Sequence, residues 1–125
     1  MSTLNVSTIT DGSNSVTVET ASQGSAKAWV NFDGPTRVIR GSFNVASITD
    51  NGNARYTITF TNIMPNTNYC WAGSSGNNTG TTGTGRSMNA DGNRNRGNFR
   101  IRTVQSPSPS SQVEDTYTGV IVFGD

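Results

Sequence analysis

The stretch SITDNGNARYTITF, residues 47–60, decides the class of fold. Its second half alternates: Tyr56, Ile58 and Phe60 fall on one side, and Thr57, Thr59 and then Thr61 on the other. A two-residue period marks a strand with one buried face, because successive side chains of an extended chain point opposite ways. Asp50-Asn51-Gly52-Asn53 just before it is a hairpin signal, since Asn and Gly accept the positive φ that tight turns demand. Residues 43–48 supply the outgoing strand. Tyr56, Ile58 and Phe60 are therefore expected in the core.

The same alternation continues in both directions. Ala28, Val30 and Phe32 alternate with Lys27, Trp29 and Asn31 until Gly34-Pro35 stops the strand. Residues 38–40 are again extended. Met64-Pro65-Asn66 turns the chain, and Tyr69 and Trp71 carry a further strand. Phe99, Ile101 and Thr103 alternate with Arg100 and Arg102, a strand with a basic outer face, and Tyr117–Phe123 closes the chain. Residues 106–111, rich in Ser and Pro, read as a loop. Residues 73–97 are nearly all Gly, Ser, Asn, Thr and Arg, and are expected to form a long loop region with one short strand near Met88. The spacing predicts an all-β fold: a small antiparallel β-sandwich of about eight strands over residues 26–125. Ahead of it, Leu4, Val6 and Ile9 open one short strand and Val16 and Val18 another, around Asp11-Gly12-Ser13-Asn14. Residues 1–25 thus read as a hairpin-like N-terminal β arm, ending in a small, polar linker at 21–25.

Composition fits this frame. Hydrophobic residues make up 31% and charged residues 14%, with 14 Gly; an average domain has about 45–50% apolar residues, Gly included, and about 25% charged ones. The deficit is filled by Thr, Ser, Asn and Gly, which suits strands with polar outer faces joined by many turns. The core is lean for a chain that buries only about two-thirds of its unfolded surface, so association with further copies is expected to help it. Trp29, on the opposite face from Val30 and Phe32, is the candidate interface residue. A net charge of +1 implies no general attraction to nucleic acid or membrane. Cys70 is the only cysteine, which rules out an intrachain disulfide framework. No run approaches the about 20 apolar residues of a membrane span, and the opening residues lack the basic and apolar regions of a signal peptide.

Catalytic chemistry is short of parts. There is no histidine, which removes the commonest general base and metal ligand. Cys70, between Tyr69 and Trp71, reads as a small buried hydrophobe. Of the 8 acidic residues, Asp33, Asp50 and Asp91 sit in turn contexts, where Asp serves the backbone. Asp91-Gly92-Asn93-Arg94-Asn95 echoes a calcium loop, but Arg96 stands where that loop needs Gly and Arg102 where it needs Glu. Neither an enzyme nor a cofactor or metal site is expected. Arg86, Arg94, Arg96, Arg100 and Arg102 form the one local charge feature. They are either a solubilising face with structural pairing to Glu114 or Asp115, or a patch that contacts acidic sugars, phosphate or a neighbouring subunit. A nucleic-acid role would require aromatic residues among them.

Several segments also look familiar. AKAWVNFDG (26–34), SFNVASITDNG (42–52) and YTITFTNIMPNTNY (56–69) resemble a domain of bacteriophage tail-fibre and related virion knob proteins, notably from phages of marine and cyanobacterial hosts. STLNVSTI (2–9) resembles the short β motif that opens such proteins, and YTGVIVFGD (117–125) their terminal strand. The turn at 33–37 departs from the family's smoother one, and residues 73–97 follow none of its motifs. The resemblance implies a homotrimeric, virion-borne, host-facing module: a short tail fibre or fibre tip that attaches to a host-surface glycan. The alternative is a decoration protein of capsid, baseplate or collar without receptor specificity. In either case the arm, too poor in apolar residues to fold alone, is expected to dock on other virion proteins through Leu4, Val6 and Ile9. Receptor contact is expected from loops at an end of the sandwich: Asn77, Asn78, Asn89, Asn93 and Asn95 offer donors and acceptors to sugar hydroxyls, and Arg86, Arg94 and Arg96 charge-assisted bonds to an acidic group. Trp71 either stacks on a sugar face or joins the core.

Overall fold

The structure, a computed structural model, describes residues 1–77, 86–105 and 112–125. Asn78 and the segment 106–111 lie outside the described residues. The chain is all-β. A two-stranded hairpin, β1 (Thr8–Thr10) with β2 (Ser15–Thr17), is followed by one short helix, α1 (Val18–Gly24). Eight antiparallel strands then make two four-stranded sheets. They are β3 (Ala28–Phe32), β4 (Ile39–Phe43), β5 (Val45–Asp50), β6 (Arg55–Phe60), β7 (Cys70–Gly76), β8 (Arg86–Arg94), β9 (Asn98–Gln105) and β10 (Tyr117–Phe123). The first sheet runs in the order β4-β3-β10-β7 and the second in the order β5-β6-β9-β8.

The expected alternation lies where the core is. The inward residues of the two central pairs face each other: Ala28, Val30 and Phe32 of β3 with Val120 and Val122 of β10, against Tyr56, Ile58 and Phe60 of β6 with Phe99 and Ile101 of β9. All are buried. Burial of such side chains is the main favourable term in folding, at about 1.5–3 kcal/mol each. Asp50 and Asn51 make the hairpin as expected. Asp50 Oδ1 accepts from Gly52 N at 2.7 Å, and positive φ falls on Gly52, Asn53 and Ala54.

Between β4 and β5 the chain leaves the first sheet and enters the second at Asn44, whose φ is 54°. Asn tolerates this left-handed backbone better than most residues. Its amide also fastens the corner: Nδ2 donates to Lys27 O at 3.0 Å and Asn62 O at 3.2 Å, and Oδ1 accepts from Asn62 N at 2.7 Å.

Three expectations are corrected. Residues 21–25 are mostly helix: Thr17 caps α1 by accepting from Thr20 N at 3.0 Å, and none of its residues is buried. Residues 73–97 are not a long loop, because β7 runs to Gly76 and β8 covers Arg86–Arg94, so Asp91 lies in a strand. Both are edge strands, held by backbone ladder bonds that need no apolar pattern. Met88 supplies what Gly73 lacks: a Cβ at Gly73 would collide with Met88 Sδ. Finally, Cys70 is exposed. Tyr69 is buried and Trp71 packs against the core, so the residue between them points outward.

Candidate functional site

The expected receptor residues are split by the fold. Arg86 opens β8 on its inward side, and its Nε meets Asp115 Oδ1 at 2.9 Å, with Asp115 fully buried. Of the two acids named as partners, Asp115 is thus the one used, and Arg86 is a structural residue. Arg94 lies at the far end of the strand, about 20 Å away at the usual rise per residue, since Arg86 and Arg94 pair with Gln105 and Phe99 of β9 across a bulge, and its guanidinium is 5.3 Å above the Tyr69 ring. Asn93, Arg94, Asn95 and Arg96 do come together there, in and beside the turn between β8 and β9.

Their polar groups are largely committed to that turn. Asn95 Oδ1 accepts from Gly97 N and Asn98 N, both at 2.9 Å. The Nδ2 groups of Asn93 and Asn95 donate to Asn98 Oδ1 at 3.2 and 3.1 Å. Arg96 Nε donates to Met64 O at 2.8 Å. The Tyr69 hydroxyl donates to Asn95 O at 2.8 Å, and burial raises its pKa above the ordinary tyrosine value. Asn77 is exposed directly after β7. Asn89 stands on the outer face of the second sheet, opposite Arg102. The expected set is therefore one turn cluster, one strand-face residue, one structural arginine and Asn77, rather than a single loop surface.

Two surfaces outside this receptor set have a consistent character. The first is the outer face of the β4-β3-β10-β7 sheet. Register places Phe43 opposite Trp29, Trp29 opposite Ile121, and Ile121 opposite Ala72. One rung across all four strands is thus apolar, and Phe43 is 56% and Trp29 42% exposed. Trp29 lies across the Gly41 backbone, where a Cβ would stand 3.3 Å from its ring. A shallow groove of about 370 Å³, floored by Gly73 and Gly119, flanks Ile121. Farther along, the Arg40 guanidinium sits 4.6 Å above the Tyr117 ring and pairs with Asp33 at 2.9 Å. The Asp33 pKa lies below the usual carboxylate value, chiefly because its carboxylate accepts from the Thr36 backbone N–H.

The outer face of the other sheet is its opposite. Ser47, Thr49, Thr57, Thr59, Asn98 and Asn89 surround Arg55, Arg100, Arg102 and Asp91, with no aromatic side chain among them. The arm is a third surface. Leu4 and Val6 precede β1 rather than belonging to it, and Ile9 pairs with Val16; Leu4, Val6 and Ile9 are all exposed. No residue of 1–25 is buried.

Among the described residues, no three acidic or cysteine side chains gather as a metal site, and no helix is long and apolar enough to cross a membrane. Comparison with known proteins gives no match: no family model fits the chain, and neither a curated protein nor a solved structure is significantly similar to it.

Proposed function

We propose that the chain is a structural protein of a bacteriophage particle, a short tail fibre or fibre tip, that self-associates through the apolar sheet face and presents the polar face outward for host attachment. The observation that carries this reading is the contrast between the two outer faces of one sandwich. A face of this size is within what a monomer exposes, so it is the exposed Trp29 and Phe43, of the aromatic type enriched at interfaces, that point to association, and the resemblance of residues 26–34, 42–52 and 56–69 to virion knob domains supplies the setting and the trimer.

Magnitude assigns a part to the arm. Four strands at about 4.8 Å spacing and five residues of length make a face on the order of 250 Å², whereas a stable interface takes about 800 Å² per partner. The face alone falls short, and the exposed apolar residues of the arm are available to extend it or to join the particle.

At micromolar concentration the protein should sediment as a trimer. Trp29→Ser should weaken association by about 2 kcal/mol, as for a central aromatic contact. A stable folded monomer of the parent protein would sink the assembly role. Removal of residues 1–17 should leave the sandwich folded, since it buries none of them, but should abolish incorporation into particles. Normal incorporation of the truncated chain would show that the arm is not the anchor. Antibody labelling of intact particles separates attachment from decoration: label at the tail tip supports the fibre, and label on the head supports the decoration protein.

A further inference from the structure

We infer that Arg55, Arg100 and Arg102 form a binding site for the carboxylate or sulfate groups of an extended acidic polysaccharide, lying on the outer face of the β5-β6-β9-β8 sheet. Register sets Arg55 of β6 directly opposite Arg102 of β9, and Arg100 is the next residue on the same face. Like charges set opposite each other on adjacent strands are destabilising. Among the described residues the only acid within ion-pair distance is Asp91, whose Oδ2 lies 3.5 Å from Arg55 Nε and 3.8 Å from Arg100 Nη1. Arg102 has no acidic partner among the described residues. Three guanidinium groups and one carboxylate leave the cluster with an excess of positive charge. The Nε atoms of all three arginines are shielded from solvent and make no hydrogen bond, Arg55 Nε having only the 3.5 Å approach of Asp91, while the side chains of Arg55 and Arg100 remain more than a third exposed. The cluster therefore carries unbalanced positive charge, and the exposed ends of its guanidinium groups, rather than the shielded Nε atoms, are what a ligand can reach.

Ligand class follows from the surroundings. A guanidinium presents paired donors that match a carboxylate or sulfate in a fork geometry. The neighbours on this face are Thr49, Thr57, Thr59, Asn89 and Asn98, short polar groups suited to sugar hydroxyls. No aromatic ring is present on which a nucleobase could stack, which single-stranded nucleic acid uses for much of its affinity. An open sheet face suits an extended polymer better than a small enclosed ion. Asp91 keeps Arg55 and Arg100 spread on the sheet. That the polysaccharide is host-borne rests on the attachment role proposed above; the site itself does not.

The test is binding of the purified full chain to heparin, polyglucuronate, dextran and oligo(dT) across a salt series. Heparin or polyglucuronate should bind, the preferred one reporting sulfate or carboxylate; dextran and oligo(dT) should bind far more weakly. Arg55→Ser with Arg102→Ser should lower affinity at least about tenfold and flatten the salt dependence. Arg55→Lys with Arg102→Lys, which keeps the charge and loses the fork, should recover part of it. Lys27→Ser with Arg40→Ser removes equal charge from the other sheet and should leave binding within about twofold. Thermal melts of each variant establish that it is folded. Equal losses in the two serine pairs, absence of binding to both acidic polymers, or tighter binding of oligo(dT) would each overturn the site. A protein that binds the acidic polymers yet labels no particle would keep this site and lose the attachment role.

Discussion

Asp115→Ala should cost about 3–5 kcal/mol of stability in urea or thermal unfolding, the loss expected when one partner of a buried ion pair is removed. Asp115 is wholly buried, and the Arg86 side chain it holds is 14% exposed. Without the carboxylate, the guanidinium is left in a low-dielectric site with nothing to balance it. The backbone at Asp115 is equally engaged: its carbonyl accepts from Gly34 N at 2.9 Å and from Thr118 Oγ1 at 3.3 Å. A Cβ at Gly34 would stand 2.5 Å from that carbonyl, so the turn after β3 is pressed against this segment. Because the deficit comes from a stranded charge, removing the charge as well should recover much of it. Arg86→Met combined with Asp115→Ala should therefore be more stable than Asp115→Ala alone. A loss below about 1 kcal/mol in the single variant would mean that Arg86 reaches water.

The second large effect is expected at Phe99, where Ala should cost about 3–5 kcal/mol through lost burial and the cavity left behind. Its ring lies 5.7 Å from Phe60, 6.0 Å from Tyr69 and 5.7 Å from Trp71, so one truncation loosens three neighbours. Phe60→Ala belongs in the same range. Thr59→Ala, one residue away on the outward face, should stay within about 0.5 kcal/mol. Comparable losses at Thr59 and Phe99 in denaturant titrations would mean that the inward and outward faces of the second sheet are reversed.

How much of this was legible follows from what side chains can encode. β3, β6, β9 and β10 are central strands with one face on the core, and their apolar periodicity shows directly in the sequence. β7 and β8 are edge strands of Gly, Ser and Asn, and their order comes from backbone pairing and from Met88 covering Gly73. Composition alone gave no sign of that. The seven-residue helix α1 is too short to show a helical period, although Thr17 and Thr20 form its cap. Cys70 could have been placed correctly, since a residue between inward Tyr69 and Trp71 must point out. The candidate site was legible only in part. The Arg100 and Arg102 face was visible as an alternation, but Arg55 joins it only through strand register, and the choice of Asp115 over Glu114 for Arg86 depends on tertiary packing.

The position of β10 has a consequence for the order in which the molecule is made. This strand lies in the middle of its sheet, between β3 and β7, with Val120 opposite Val30 from the start of the sandwich. The β5-β6 hairpin can close as soon as residues 45–60 exist, and β8 can meet β9 in the same local way. β3 can pair at once with β4, but its other edge must wait for residues 117–123, nearly the full length of the sandwich later. Pairings of such long sequence separation put a fold on the slow side, in milliseconds to seconds rather than microseconds. Until then one edge of β3 stays unpaired and Val30 and Phe32 lack Val120 and Val122 beside them, a state prone to aggregation. The period of greatest vulnerability for this chain is therefore the interval before its last strand is inserted.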